Sequence, residues 1–203
     1  MTRREFVGSI LVASGGVLVS CGKSPTTPTS VPVTDPSTVT DADGNVYRTV
    51  RVGTQLWMAE NLRARRGVGG SALPDVYAHG DLESNVAAYG LLYTWNTAMM
   101  PLVAGWHLPS ENEWTTLINA AGVANAGSVL RQGGSSGFNA VFGGTRRYDG
   151  SWVDLGVWGQ YWSSTAFMSD HARTVTFWPN QAQVERTGYG FVGGVSVRLV
   201  RDN

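Results

Sequence analysis

The side chains able to do covalent or metal chemistry are few and scattered. Three histidines, His79, His107 and His171, stand far apart in a chain of 203 residues, and the single cysteine, Cys21, lies near the start. One thiol excludes an intrachain disulfide and any multi-thiolate metal site. A His/carboxylate metal centre needs three or four converging ligands, and no spacing motif joins these histidines. His107 precedes a helix start and reads as packed and hydrogen-bonded, whereas His79 and His171 sit in loop-like surroundings beside Gly80, Asp81 and Asp170. Asp41-Ala42-Asp43-Gly44-Asn45 begins like a calcium loop, but the twelfth position, which should carry a bidentate Glu, is Val52. A polar turn before a strand is expected there. No nucleophile elbow, phosphate loop or paired-His zinc motif is present, and the Gly-rich run 133–137 lacks the Lys that cradles phosphate. Glu60, Glu111, Glu113 and Asp154 are the carboxylates from which an acid–base pair would have to come, and Glu113 already has a helix-capping role. No catalytic residue, metal or cofactor is expected.

The aromatic residues remain. Of eight Trp, Trp57, Trp106, Trp114 and Trp162 fall on apolar faces and read as core. Trp152, Trp158 and Trp178 lie near Gly or Pro turns and, with Asn180, are the candidate ligand-binding residues. Exposed rings beside Asn, Gln and Asp can stack on sugars or anchor a protein interface. Charge excludes other partners. With 15 Lys+Arg against 15 Asp+Glu there is no basic stripe to neutralise phosphates, so nucleic acid is not a partner. A hydrophobic share of 42% excludes a disordered chain.

The first residues read as an address. Arg3-Arg4 precedes an apolar run from Phe6 to Val19, too short to span a bilayer as a helix, which needs about 20 residues. A charged start and a short apolar stretch make residues 1–20 a secretory signal, and Thr2-Arg3-Arg4-Glu5-Phe6-Val7 is similar to the twin-arginine export motif. Leu18-Val19-Ser20-Cys21 resembles a bacterial lipobox, which predicts lipidation of Cys21 and anchoring through two or more acyl chains. Cleavage leaves 13 basic and 14 acidic groups. Residues 21–40 then form a spacer: Pro25, Pro28, Pro32 and Pro36 are set among Ser and Thr with no aromatic residue, and such a stretch stays semi-extended.

All eight Trp lie in residues 41–203, one domain's worth of chain. Ser110-Glu111-Asn112-Glu113 is a capping box, and Trp114, Leu117, Ile118 and Ala121 repeat at helical spacing until Gly122. A weaker helical turn is predicted over 126–131. Gly53-Thr54 joins predicted strands 46–52 and 55–58 in a hairpin. Further strands are predicted over 91–95, 140–142, 151–155, 161–164, 173–178, 183–186 and 195–200. The sum is an α+β domain of short antiparallel strands, one strong helix and many loops.

Four blocks, Asp43-Gly44-Asn45-Val46-Tyr47, Gly53-Thr54-Gln55-Leu56-Trp57-Met58-Ala59-Glu60-Asn61-Leu62, Gly105-Trp106-His107-Leu108-Pro109-Ser110 and Tyr161-Trp162-Ser163-Ser164-Thr165, occur in that order. Through them residues 41–203 resemble the Fibrobacter succinogenes major paralogous domain family. Gly144-Thr145-Arg146 and Ser196-Val197-Arg198-Leu199-Val200-Arg201-Asp202 also contribute. The family is similar to C-type-lectin-like domains and beyond them to formylglycine-generating-enzyme-like domains, which implies a loop-rich scaffold with short strands. The oxidation chemistry of the latter uses active-site thiols that residues 41–203 lack. Trp178-Pro179-Asn180 is similar to the Glu-Pro-Asn triplet of calcium-dependent lectins, but Trp supplies no oxygen to a hard cation, and a turn between strands is expected. Family members often carry cysteines where Val103-Ala104 and Leu199 stand here. If those cysteines pair in relatives, burial of two aliphatic chains at ~1.5–3 kcal/mol each offsets a staple of ~2–4 kcal/mol, and Val103 and Leu199 should be buried neighbours.

Together these readings point to a non-catalytic, extracytoplasmic module of a bacterial cell envelope. Its expected partners are the membrane, through the lipid anchor, and a glycan or envelope protein bound by a loop-rich surface. The alternatives are a structural component of the envelope and an uncharacterised hydrolase built on loop carboxylates and a His.

Overall fold

The computed structural model of the chain describes residues 37–201. The stretch read as an export signal, Cys21 and the four prolines of the expected spacer lie outside the described residues. In chain order the strands are Thr38–Thr40 (β1), Val46–Val52 (β2), Gln55–Met58 (β3), Val76–Tyr77 (β4), Leu92–Tyr93 (β5), Thr145–Arg146 (β6), Trp152–Val153 (β7), Gly159–Ala166 (β8), His171–Phe177 (β9), Glu185–Gly190 (β10), Val195–Ser196 (β11) and Val200–Arg201 (β12). The α-helices are Val86–Tyr89 (α1), Trp95–Ala98 (α2), Glu111–Ala121 (α3) and Ala126–Leu130 (α4). The class is α+β, mostly short strands with few short helices.

Two sheets hold the core. One runs β1-β2-β3-β12 and the other β10-β9-β8-β11-β5-β4, with β6-β7 as a separate hairpin. In the larger sheet every pairing is antiparallel except that of β11 with β8. β1 corrects the expected spacer boundary at residue 40. Thr38–Thr40 pair with Arg48–Val46, and Val39 packs on the core, so the sheet reaches three residues into the stretch read as spacer. Two β-branched threonines flanking an apolar valine suit an edge strand, and the prolines upstream masked that pattern.

The polar turn at Asp41 is built as expected. Its carboxylate accepts the N–H groups of Asp43 and Asn45 (both 2.9 Å), the Asn45 amide (2.8 Å) and the Tyr47 hydroxyl (2.6 Å). Burial, together with that bond to Asp41, pushes the Tyr47 phenol far above its ordinary range. The helix α3 also begins as predicted. Ser110 Oγ accepts the Glu113 N–H (3.3 Å), and Glu113 Oε2 accepts the Ser110 N–H (2.8 Å). Trp114, Leu117 and Ile118 are buried, and the Trp114 indole donates to the Trp162 carbonyl at 3.2 Å. Trp57, Trp106 and Trp162 are buried as well, each in one of two apolar clusters. Val103 and Leu199 share the first cluster, 4% and 1% exposed.

Several expected strands differ. Residues 91–95 give only β5, because Thr94 turns the chain into α2. Ala140 makes a single bridge to Arg131 rather than a strand. The strand predicted over 183–186 lies later, as β10, since it follows the register of β9. The single strand expected over 195–200 is split: β11 pairs in the larger sheet and β12 in the smaller.

Arg198 sits at that split and is fully buried. Its Nη1 donates to the carbonyls of Met58 (3.1 Å) and Phe138, and its Nη2 to Asn61 Oδ1 (2.7 Å) and the Asn139 carbonyl (3.1 Å). The guanidinium lies 4.6 Å from the Phe138 ring centroid. All four acceptors are neutral, and burial lowers the Arg198 pKa from its ordinary value. Asn139 adopts φ 57°, a left-handed conformation that Asn tolerates better than most residues and that places its carbonyl on Nη2. Gly90, at φ 76°, makes room for the same corner: a Cβ there would sit 2.6 Å from the Asn61 Cβ.

Two expectations follow. Arg198→Met leaves buried acceptors without a donor, at ~1–3 kcal/mol for each one stranded, so the urea midpoint should fall by the equivalent of at least about 2 kcal/mol. Arg198→Lys should not restore it, because a compact ammonium cannot span four acceptors as a planar fork does. Around Glu113, burial raises the carboxyl pKa, but bonds from the Ser110 N–H, His107 and the Ser110 hydroxyl outweigh it and leave a net lowering. The stability from that lowered pKa is present above the ordinary glutamate value of about 4.3 and lost as pH falls through the folded value. Wild type should therefore exceed Glu113→Gln in stability near neutrality, with the gap closing below about pH 4, as read by denaturation at a series of pH values. Ser110→Ala should cost about 1 kcal/mol.

Candidate functional site

Strand alternation assembles a two-tryptophan cleft. The register Gly159↔Phe177 makes Trp158 and Trp178, just beyond it, the next cross-strand neighbours. Residues two apart share a face, so Trp158 just before β8 and Gln160 in it, Thr174 and Thr176 on β9 and Trp178 just after it, and Glu185, Thr187 and Tyr189 on β10 point the same way. The two indoles meet edge to face, centroids 4.6 Å apart at 87°. Trp178 Nε1 donates to Glu185 Oε2 at 2.8 Å, which holds ring and carboxylate together. Gln160 Nε2 donates to the hydroxyls of Thr174 (2.9 Å) and Thr187 (3.2 Å), and these two hydroxyls lie 2.9 Å apart. The resulting cleft, about 220 Å³, is lined by Trp158, Gln160, Thr176, Trp178, Glu185, Thr187 and Tyr189. Trp158 Nε1 is buried and, among the described residues, has no hydrogen-bond partner. Aromatic faces beside an amide, hydroxyls and a carboxylate can stack on and hydrogen-bond a polyhydroxylated ring.

The sequence candidates divide. Trp158 and Trp178 come together and are half-buried. Trp152 lies elsewhere, on the hairpin β6-β7, where His79 (5.3 Å) and Arg146 (5.5 Å) pack on its ring. Asn180 is exposed in the turn after Trp178, as the turn reading expected, and does not line the cleft. Gln160, Thr176, Thr187 and Glu185 were missed. Their signal was present as alternation, in Thr174-Val175-Thr176-Phe177 and in Gln160 two residues beyond Trp158, but the pairing partners were unknown.

A second cleft, about 820 Å³, lies at the other end of β10 and is lined by residues that include Tyr148, Asp170, His171, Tyr189 and Phe191. His171 Nδ1 is 2.7 Å from Asp170 Oδ1, an exposed pair on adjacent residues. The other histidines have structural neighbours: His107 Nε2 meets Glu113 Oε1 at 2.7 Å, and His79 Nε2 faces the Val153 carbonyl at 3.2 Å. Among the carboxylates, Glu111 lies 3.6 Å from both Arg173 and Arg186, and Glu60 is bonded to Arg48 at 2.7 Å. Among the described residues no three His, Cys, Asp or Glu side chains converge to hold a metal ion, and no helix is long and apolar enough to cross a membrane.

An α+β domain whose last strand pair is clamped by a buried arginine, with a two-tryptophan cleft on its larger sheet, is the class this geometry defines. Residues 50–201 match the Fibrobacter succinogenes major domain, and the chain belongs to that family. Neither the curated proteins nor the solved structures give a match.

Two perpendicular indoles 4.6 Å apart couple electronically. Trp178→Phe should reduce the exciton signal near 230 nm in the circular dichroism spectrum and leave the part owed to Trp57 and Trp114, 4.9 Å apart; an unchanged spectrum would contradict the pairing.

Proposed function

We propose that this protein is a membrane-anchored, non-catalytic, extracytoplasmic module that binds glycan through the Trp158–Trp178 cleft, on a C-type-lectin-like scaffold. The observation that carries the reading is the combination of two held indoles with a row of Gln160, Thr176, Thr187 and Glu185. Stacking of a sugar face on an indole is hydrophobic and dispersive, and the amide, hydroxyl and carboxylate groups decide which hydroxyl pattern fits. Calcium is not needed for such recognition. Anchoring rests on the lipobox-like Cys21 and the spacer that follows it.

A hydrolase has one observation in its favour, the His171–Asp170 pair in the second cleft. It is the weaker reading. Asp170 is exposed, and a general base also needs a nucleophile within hydrogen-bond reach. Glu111 and Glu60, each beside arginine, are engaged as ion-pair partners.

Glycan-array binding of the full-length chain tests the proposal. Trp178→Ala and Trp158→Ala should each weaken binding on the order of tenfold, the equivalent of about one stacked ring, with thermal unfolding as the check on folding. Trp152→Ala should bind as wild type. Equal losses at Trp152 and Trp178, or a protein partner retained without any sugar binding, would favour a structural role in the envelope.

A further inference from the structure

The two clefts are not separate. Tyr189 lines both, and the six-residue strand β10 runs from Glu185 at the first to Gly190 at the second. At strand spacing this is about 17–20 Å, and β10 is the outer strand of the larger sheet, so nothing in that sheet pairs with its far side. The first cleft, at about 220 Å³, is smaller than the ~300–1,000 Å³ of sites that enclose a whole small ligand. Resting on the glycan reading above, we infer that the ligand is an extended, uncharged polysaccharide chain laid along β10, with one ring position at Trp158/Trp178 and another at Tyr148/Phe191, bridged by Tyr189.

The aromatic surfaces at the second position are of two kinds. Phe191 is fixed, because one face is stacked on Trp95 at 4.3 Å and 12°, and the Trp95 indole is itself bonded to the Ser163 carbonyl at 2.8 Å. Tyr189 is fixed too: it meets Trp162 edge-on at 6.1 Å, and its ring lies so close over Gly193 that a Cβ there would approach within 2.2 Å. Tyr148, by contrast, is 82% exposed at the rim of the second cleft. Rigid rings lose little entropy on binding. Two such positions at the two ends of one strand, engaged by one chain, act as linked sites, so each occupied position raises the effective concentration at the other.

Charge argues for an uncharged chain. Glu185 stands at the first position, and Asp170 with His171 and Arg147 at the second. An anionic polymer would meet a carboxylate at each end, and a cationic one would meet Arg147. The linkage also follows from shape. A strand edge is nearly straight over six residues, and an equatorially linked β-1,4 chain is an extended ribbon with flat faces, whereas an α-1,4 chain curls.

Calorimetric titration of the full-length chain would use β-1,4-linked oligosaccharides of glucose, xylose and N-acetylglucosamine, from disaccharide to hexasaccharide, with α-1,4-linked glucose oligomers as the control. In the series that binds, affinity should rise on the order of tenfold from disaccharide to hexasaccharide, about one further ring contact. Tyr148→Ala should flatten that rise, and Trp178→Ala should weaken every length. Gly193→Ala, which displaces the Tyr189 ring, should flatten it as well. A hexasaccharide that binds no more tightly than its disaccharide, in a series still sensitive to Trp178→Ala, overturns the extended chain and leaves the single-ring site standing. Tighter binding of the α-1,4 series overturns the shape argument. Absence of binding by every sugar overturns both the inference and the glycan reading beneath it.

Discussion

A guanidinium buried where two sheets meet, held by neutral acceptors, constrains this structure most. Removing a guanidinium from water costs several kcal/mol, and here the compensation comes from the carbonyls of Met58, Phe138 and Asn139, the amide oxygen of Asn61 and the face of the Phe138 ring. Those acceptors belong to the end of β3, the segment after it and the turn before residue 140. They must arrive together around Arg198, or the charge has nowhere to go. The chain on either side of Arg198 then has little choice. β11 goes to the larger sheet and β12 to the smaller, and Val197 and Leu199 are left facing the core.

The cleft depends on that arrangement indirectly. β11 lies between β8 and β5, so the clamp at Arg198 also fixes the inner edge of the three-stranded face that carries the cleft. On that face, period-two alternation separates the work. Trp162 and Ala172 are buried in the first cluster, and Tyr189 packs against it, while Gln160, Thr174 and Thr187 join in a hydrogen-bonded row. Trp158 and Trp178 sit at the end where the strands leave the sheet, which is why they are half-buried rather than core. The other face sends Tyr161, Val175 and Phe177 into the second cluster.

Local signals were legible where local physics decides. The capping box of α3 needs only Ser110 and Glu113, the β2-β3 hairpin only Gly53-Thr54, and the polar turn only Asp41 and its near neighbours. Trp57, Trp106, Trp114 and Trp162 could be told from Trp152, Trp158 and Trp178 because the latter three lie near Gly or Pro turns. Long-range choices were not legible. Residues 195–200 carry an unbroken strand pattern, and nothing in that pattern says that the chain changes sheets at a buried arginine. Trp152 and Trp158 look alike beside their glycines, yet one packs under His79 and Arg146 and the other faces Trp178.

Sequence alone therefore determined the kinds of group available: one thiol, few and scattered histidines, balanced charge, and aromatics near turns. It also determined the elements closed by contacts within a few residues. Tertiary structure alone decided which of those groups meet. Strand register and sheet order depend on the summed burial of both apolar clusters and on bringing acceptors from residues 58–61 and 138–139 to Arg198, and neither is a property of any short stretch of chain.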